Sequence, residues 1–391
     1  MLPKIEFELP FPCFMGRSFV PMLINKAGAR VLVAMSGGLD STMTAALLHE
    51  QGYQVIGLTM KTWDYAASGG QTKETGCCSL DSINDAREVA VQLGFPHYIL
   101  DIREHFGESV IDYFVEEYLA GRTPNPCVMC NTHIKWDALL LRADQLDCEF
   151  IATGHYARVE TGADGRRYVV CGDDLHKDQS YVLWGLSQSS LQRTVFPMGS
   201  YTKGQIREMA RERGYHSLVN KPESYEICFV PDNDYRGFLK RRVPGLEQKV
   251  QGGAFVSPQG LVMGKHQGYP FYTVGQRKGL ETAFGTPKYV VSIDAERNEV
   301  VLGDLEDLDR KVMWVQQLNW QKIPQLPSEG MDAVVKIRYK DAGAPAFLVQ
   351  EGPQVKVEFM APVRAIAPGQ SAVFYQGDQV LGGGWIHKSL L

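Results

Sequence analysis

A chain of 391 residues, 44% hydrophobic and 22% charged, is too long for one ordinary core and has the composition of a soluble globular protein of two or three domains. No stretch approaches the roughly 20 apolar residues of a membrane span, which excludes an integral helical membrane protein. The formal net charge of -5 excludes a globally basic nucleic-acid binder, so an RNA partner would have to be held by local basic patches.

Residues 1–28 contain short apolar pieces interrupted by Glu6, Glu8, Arg17 and Lys26, and read as an N-terminal extension without a secretion signal, with Met15 and Met22 as alternative starts. From Arg30 the pattern alternates. A β-branched run at Val31 to Ala34 precedes helical spacing over Ser41 to Gln51. Val55 to Thr59, a helix at Asp81 to Leu93, and Tyr98 to Asp101 follow. The alternation continues through Ile111 to Leu119, Lys135 to Leu146 and the apolar strand Phe150 to Thr153, and Lys203 to Arg213 has helical spacing again. Strands alternating with helices predict a parallel α/β sheet over residues 29–220. Beyond Lys221 glycine and proline become frequent and helical periodicity fades, which predicts a small central domain at 221–286. Strand-like runs at Tyr289 to Ile293, Val300 to Leu302, Ala333 to Tyr339, Val355 to Phe359 and Ser371 to Tyr375 predict a C-terminal β-barrel at 287–391. No internal repeat is present.

The first candidate site is Ser36-Gly37-Gly38-Leu39-Asp40-Ser41, between a predicted strand and a predicted helix. A Gly-rich turn in that context presents backbone N–H groups and a helix N-terminus to phosphate. The P-loop lysine is missing, so this is not a Walker A loop. The hexamer resembles the PP-loop of ATP pyrophosphatases. That resemblance implies cleavage of ATP between the α and β phosphates, with Asp40 placed to help hold Mg²⁺.

The eight cysteines, Cys13, Cys77, Cys78, Cys127, Cys130, Cys148, Cys171 and Cys228, are sparse for the length, which argues for reduced thiols in a cytoplasmic protein rather than a disulfide scaffold. Cys127 and Cys130 lie three apart in the proline-braced stretch Thr123 to Asn131. Three uses are open for such a pair: half of a zinc site, a redox pair, or iron–sulfur ligands. His155 follows an apolar strand, at the sheet edge where α/β proteins bind ligands. Arg236, Lys240, Arg241 and Arg242 form a basic cluster that reads either as a solvated face or as an RNA patch.

Taken together, the motifs resemble the tRNA-specific 2-thiouridylase family from about Arg30 to the C-terminus. They are the Gly-rich hexamer, Gly57 to Lys61, Thr123 to Asn131, Ala152 to Tyr156, Lys177 to Tyr181, Glu226 to Phe229, Thr273 to Leu280, Lys336 to Tyr339 and Pro368 to Ser371. The resemblance implies a PP-loop domain, a central domain and a C-terminal β-barrel. It also implies ATP-dependent 2-thiolation of a wobble uridine, by adenylation of the carbon-2 oxygen and transfer of sulfur from a cysteine persulfide. In that scheme Cys130 is the nucleophile and Cys228 the persulfide-bearing partner, the two closing a disulfide as sulfur leaves. Ala34, Met35, Ser36, Gly37, Gly38, Leu39, Asp40, Ser41, Met60 and Gly154 form the ATP site. His155, Lys177, Asp178, Gln179, Arg338, Tyr339 and Gln370 contact tRNA, and Asn125, Pro126 and Cys127 lie next to the target base. The expected partners are tRNAs of the lysine, glutamate and glutamine type and a persulfide-carrying sulfur-donor protein.

One position departs from the family pattern: many members carry Asp where this chain has Cys127. Cys127, Cys130 and Cys228 would supply three ligands to a 4Fe–4S cluster with one open iron, an alternative sulfur carrier. Two rival readings stand beside the thiouridylase: a PP-loop adenylating synthetase acting on a small molecule, and a non-catalytic RNA-binding protein whose cysteines hold zinc.

Overall fold

The computed structural model describes residues 27–63, 79–221, 227–230, 232–280 and 285–390. The expected N-terminal extension, apart from its last two residues, lies outside the described residues, as do Cys13, Cys77 and Cys78.

The first part of the chain contains β1 (Arg30–Ala34), β2 (Gln54–Lys61), β3 (His97–Asp101), β4 (Phe150–Ala152), β5 (Ala157–Thr161), β6 (Arg167–Cys171) and β7 (Thr194–Val195). Five of these form the expected parallel sheet, in the order β3-β2-β1-β4-β7. Val31, Leu32 and Val33 are fully buried, because β1 is central and covered on both faces. The chain steps from β1 to β2 on one side and later returns to β4 on the other. The carboxyl end of β1 is therefore a switch point, where open α/β sheets form their binding crevice.

Helix α1 (Leu39–Glu50) leaves β1 at that point, and nearly every residue from Leu39 to Leu48 is buried. Its Met43 and Leu47 share one apolar cluster with Ile206 and Ala210 of the helix Lys203–Glu212, which covers α1 from outside. A capping box between Thr202 and Gln205 fixes the start of that covering helix, and so the place of Lys203. Helix α2 (Leu80–Leu93) starts at Ser79, whose side chain accepts from the Ser82 N–H.

Two features depart from the sequence reading. The hairpin β5–β6 leaves the parallel sheet and joins the C-terminal one, through the pairing of Val170 with Gln379. The expected barrel strands Tyr289 to Ile293 and Val300 to Leu302 belong instead to the central domain. There, β8 (Ala254–Val256), β9 (Val262–Lys265), β10 (Tyr289–Asp294) and β11 (Glu299–Gly303) form a four-stranded sheet in the order β10-β11-β8-β9. The parallel β11–β8 pairing, which buries Val300 and Leu302 with Phe255, draws them there. The central domain also contains the helix Tyr235–Arg242, capped by Asp234. Its basic composition hid its periodicity.

The barrel comprises β12 (Asp309–Trp320), β13 (Met331–Lys336), β14 (Ala344–Glu351), β15 (Gln354–Arg364), β16 (Ser371–Gln376) and β17 (Gln379–Leu390). Pairing of β12 with β17 closes it. Two apolar clusters weld the domains. Trp136, Tyr181 and Trp184 of the first domain pack with Val373 and Tyr375 of the barrel. Phe106, Phe114 and Cys130 pack with Phe229, Phe238 and Phe255. Cys130 thus lies at the junction of the first and central domains.

Candidate active site

The turn after β1 is held by its own residues. The Ser36 N–H and hydroxyl lie 3.1 and 3.2 Å from Ser41 Oγ, and that hydroxyl is 3.1 Å from the Gly38 carbonyl oxygen. The Met35 N–H donates to the Leu58 carbonyl, and the Thr59 hydroxyl donates to the Met35 carbonyl, which ties the loop to β2. These bonds use side chains and carbonyls, so the N–H groups of the first turn of α1 stay available for an anion. Gly154 closes the other side: a Cβ there would stand 3.0 Å from the Asp40 carbonyl carbon and the Ser41 nitrogen, so a larger residue would push the strand end and α1 apart by a few tenths of an ångström.

A cavity of about 230 Å³ opens at this point, lined by Ala34, Met35, Ser36, Asp40, Ser41, Met60, Thr62, Lys135, Thr153, Gly154, His155 and Gln179. Seven of the ten residues expected at the ATP site line it; Gly37, Gly38 and Leu39 belong to the same turn. His155 and Gln179, expected at tRNA, open onto the same cavity. Thr62, Thr153 and Lys135 were not foreseen as site residues; for Lys135 the available signal was a lysine five residues after Cys130, leading out of the cysteine turn.

His155 Nδ1 lies 2.7 Å from Thr153 Oγ1, and its ring packs against Trp136 and Phe196. Burial in this recess, with Lys135 beside it, lowers its pKa to about 3, so the ring is neutral near pH 7. Asp40, expected near Mg²⁺, accepts from Lys203 Nζ at 2.7 and 2.8 Å and from the Tyr156 hydroxyl at 2.8 Å. Lys203, almost fully buried, went unrecognised because it lies 163 residues from Asp40 in sequence. Mg²⁺ is normally held by one or two carboxylates together with substrate phosphates. Asp40 lines the cavity together with Ser36 and Ser41, and one carboxylate at that cavity fits that demand.

The cysteine stretch is gripped from the barrel. The Thr123 N–H donates to the Pro368 carbonyl, and Gln370 Nε2 donates to the carbonyls of Thr123 and Pro124 at 3.2 and 2.7 Å. Asn125 then caps a helical turn, Pro126–Met129, and Cys130 opens a π-helical turn, Cys130–Lys135. Such turns recur at functional sites. Cys130 is buried, whereas Cys127 is exposed within a recess that raises its thiol pKa. Cys228 is exposed, and both it and Cys130 are thiols here rather than a disulfide. Ile227, Phe229 and Val230, which flank Cys228, pack in the same apolar cluster as Cys130, so the two segments share one core.

The expected iron–sulfur set is not assembled. Among the described residues, which include Cys127, Cys130 and Cys228, no group of three or more His, Cys, Asp or Glu side chains is placed to hold a metal. Cys127 and Cys228 are exposed whereas Cys130 belongs to the buried core.

Several expected tRNA-contact side chains are occupied internally. Asp178 accepts from the Gly172 and Ser180 N–H groups and from the Ser180 hydroxyl. Arg338 donates to the carbonyls of Val274 and Ala365, bridging the central domain and the barrel. Gln179 Oε1 accepts from the Tyr156 N–H. Tyr339 is 40% exposed, with its ring 6.3 Å from the buried Tyr181. Lys177 lies on the turn beside Asp174, whose carbonyl accepts its N–H. Of the basic cluster, Lys240, Arg241 and Arg242 pair with Glu247, Asp232 and Asp112.

Comparison with known proteins matches this three-part architecture. Residues 29–232 fit the family described as tRNA methyl transferase HUP domain, residues 236–304 its PRC-barrel domain, and residues 310–386 the aminomethyltransferase beta-barrel domain. The tRNA-specific 2-thiouridylase MnmA of Amoebophilus asiaticus is 65% identical over 92% of this chain and 96% of its own length. The chain belongs to the tRNA-specific 2-thiouridylase family. The protein of the same name from Cytophaga hutchinsonii is 63% identical over 94% of this chain and 99% of its own. A solved 4-thiouridine synthetase–RNA complex with bound ATP is a distant likeness, with 17% identity and a TM-score of 0.33 over 56% of this chain and 51% of that one. As a 2-thiouridylase family member the protein is an enzyme of tRNA thiolation, which sets aside the small-molecule synthetase and the non-catalytic zinc protein. Among the described residues no helix is long and apolar enough to cross a membrane.

Proposed function

We propose that the protein uses ATP to replace the carbon-2 oxygen of the wobble uridine in tRNA with sulfur, through a persulfide on Cys228 and the thiol of Cys130. The observation that supports this most directly is the cavity at the phosphate loop. Lys135, at the far end of the π-helical turn that Cys130 opens, lines it, so one continuous element runs from the cavity to Cys130.

The uracil carbonyl is a poor electrophile, so its oxygen attacks the ATP α-phosphate and pyrophosphate leaves. Mg²⁺ bound with ATP supplies charge neutralisation at the phosphates. The loop N–H groups hold the departing anion, and Asp40 is kept in place for the metal by Lys203 and Tyr156. The target base leaves its stack to reach the site, as base-modifying chemistry requires, and Asn125, Pro126 and Cys127 border its entry. Neutral His155 offers hydrogen bonding without a competing charge.

The terminal sulfur of the Cys228 persulfide then bonds to carbon 2, and AMP leaves with the C–O electron pair. Cys130 thiolate attacks the Cys228 sulfur, which forms the Cys130–Cys228 disulfide and releases 2-thiouridine. An external thiol reductant restores both cysteines. A persulfide-carrying donor protein reloads Cys228, whose exposure suits such an exchange. Lysine-, glutamate- and glutamine-type tRNAs are the proposed substrates, with Lys177 and Tyr339 as contacts. No step runs through an iron–sulfur cluster.

The test is turnover of ATP to AMP and pyrophosphate with unmodified tRNA, followed by mass analysis of the anticodon nucleosides. A mass gain matching sulfur-for-oxygen exchange at the wobble uridine is expected; nucleosides of unchanged mass reject the reading.

A further inference from the structure

A lysine outside the cavity braces the phosphate loop from behind. Lys221 Nζ is 3.0 Å from the Gly37 carbonyl oxygen, 3.1 Å from Ser82 Oγ and 2.7 Å from Asp85 Oδ2. Gly37 has φ +68°, and a Cβ on it would stand 1.9 Å from the Ser82 carbonyl oxygen. The loop is therefore seated directly on the first turn of α2, and one ammonium ties the two together. The fold brings it there over a separation of 184 residues from Gly37.

We propose that Lys221 is a positioning residue of the phosphate site, holding the Gly37–Gly38 peptide in the orientation and polarity in which the loop binds the pyrophosphate end of ATP. The peptide unit is planar and trans, so a Gly37 carbonyl aimed at Lys221 turns the Gly38 N–H the opposite way, away from α2. A cation on the carbonyl polarises the unit and makes that N–H a stronger donor to an anion. Gly38 is the residue that caps α1, so its N–H stands beside the unsatisfied N–H groups of the helix end. Asp85 and Ser82 take the remaining ammonium protons and fix its direction. The Lys221–Asp85 pair is about one-third exposed, so its influence is local: it works through the carbonyl it touches rather than through the long-range field. Lys203 braces the same loop through Asp40.

This role rests on the reading of the loop as the ATP phosphate site, and the test separates the two. Full-length wild-type, Lys221→Met and Lys221→Arg proteins are compared for equilibrium binding of Mg²⁺-pyrophosphate, ATP and AMP, and for steady-state adenylation with tRNA. Lys221→Met is expected to weaken pyrophosphate binding and raise the KM for ATP by about tenfold, the size of a lost hydrogen bond to a charged group. AMP affinity should be unchanged, kcat nearly so, and Lys221→Arg should recover most of the loss. Undiminished pyrophosphate binding by Lys221→Met overturns the proposal. So does equal loss of AMP and pyrophosphate affinity, which would assign Lys221 to folding alone. Wild-type protein that binds none of the three probes removes the phosphate site itself, and this role with it.

Discussion

The phosphate loop and the cysteine loop of this enzyme are built differently. The phosphate loop lies within six consecutive residues, knits itself together through Ser36 and Ser41, and is braced by Lys203. The cysteine loop owes its shape to another domain: Pro368 and Gln370 of the barrel hold Thr123 and Pro124, while Cys130 is buried among residues flanking Cys228. Adenylation should therefore survive loss of either thiol, because the phosphate loop is held without them, whereas sulfur transfer needs the cysteine loop that the other domains hold in place.

The largest expected effect breaks the two halves apart. Cys130→Ser and Cys228→Ser should each lower thiolation by about a thousandfold or more, since each removes a group that exchanges a covalent bond. tRNA-dependent pyrophosphate exchange should persist; its loss would place the cysteines in the ATP site instead. Next comes Asp40→Asn, expected to lower adenylation and thiolation together by about a hundredfold, the scale of removing a preorganised charge partner. A variant that adenylates normally would show that Asp40 serves only the Lys203 ion pair.

Gln370→Ala probes the barrel's grip on the cysteine loop. Thiolation should fall by about tenfold through misplacement of Cys130, with the KM for ATP unchanged. An effect confined to tRNA affinity would return Gln370 to direct contact.

A smaller effect concerns His155. Its folded pKa lies near 3, below the ordinary value of 6.5, so the unfolded chain takes up its proton first on acidification. Its contribution to stability is full above about pH 6.5 and declines as pH falls toward 3, by about 1 kcal/mol at pH 5 after allowance for its partial exposure. His155→Gln should flatten the melting temperature across that range, and an unchanged slope would show that the ring titrates normally. The smallest effect is expected for Cys127→Ser: thiolation little changed, and no iron in wild-type protein prepared without oxygen. Stoichiometric iron and sulfide that disappear in the variant would restore the cluster.

The parallel sheet was legible because β1 and β4 are short apolar runs and the helix beginning at Lys203 has clear spacing. The helix Tyr235–Arg242 was not, since four of its eight residues are Arg or Lys and its buried side consists of Phe238 and Leu239. Strands β10 and β11 were recognised as strands but placed in the wrong domain. Alternation reveals a half-buried strand, while the neighbour it pairs with is a tertiary choice, here made by Phe255. Within the candidate site, most of the residues expected at ATP cluster in sequence and line one cavity; Lys135 has only its place five residues after Cys130 to mark it, and Lys203 and Lys221 have no local signal because each lies more than 160 residues from the loop group it touches.

The sequence alone determined the chemistry at the end of β1. A Gly–Gly turn between a buried strand and a helix puts N–H groups and a helix dipole at one point, whatever the rest of the chain does. It also determined which thiols exist. Only the tertiary structure decided which charges brace that turn, which carbonyls Arg338 and Gln370 satisfy, and that Cys130 is buried while Cys127 is exposed. Those contacts join residues up to 247 positions apart, and their geometry follows from the packing of whole domains rather than from any local run of side chains.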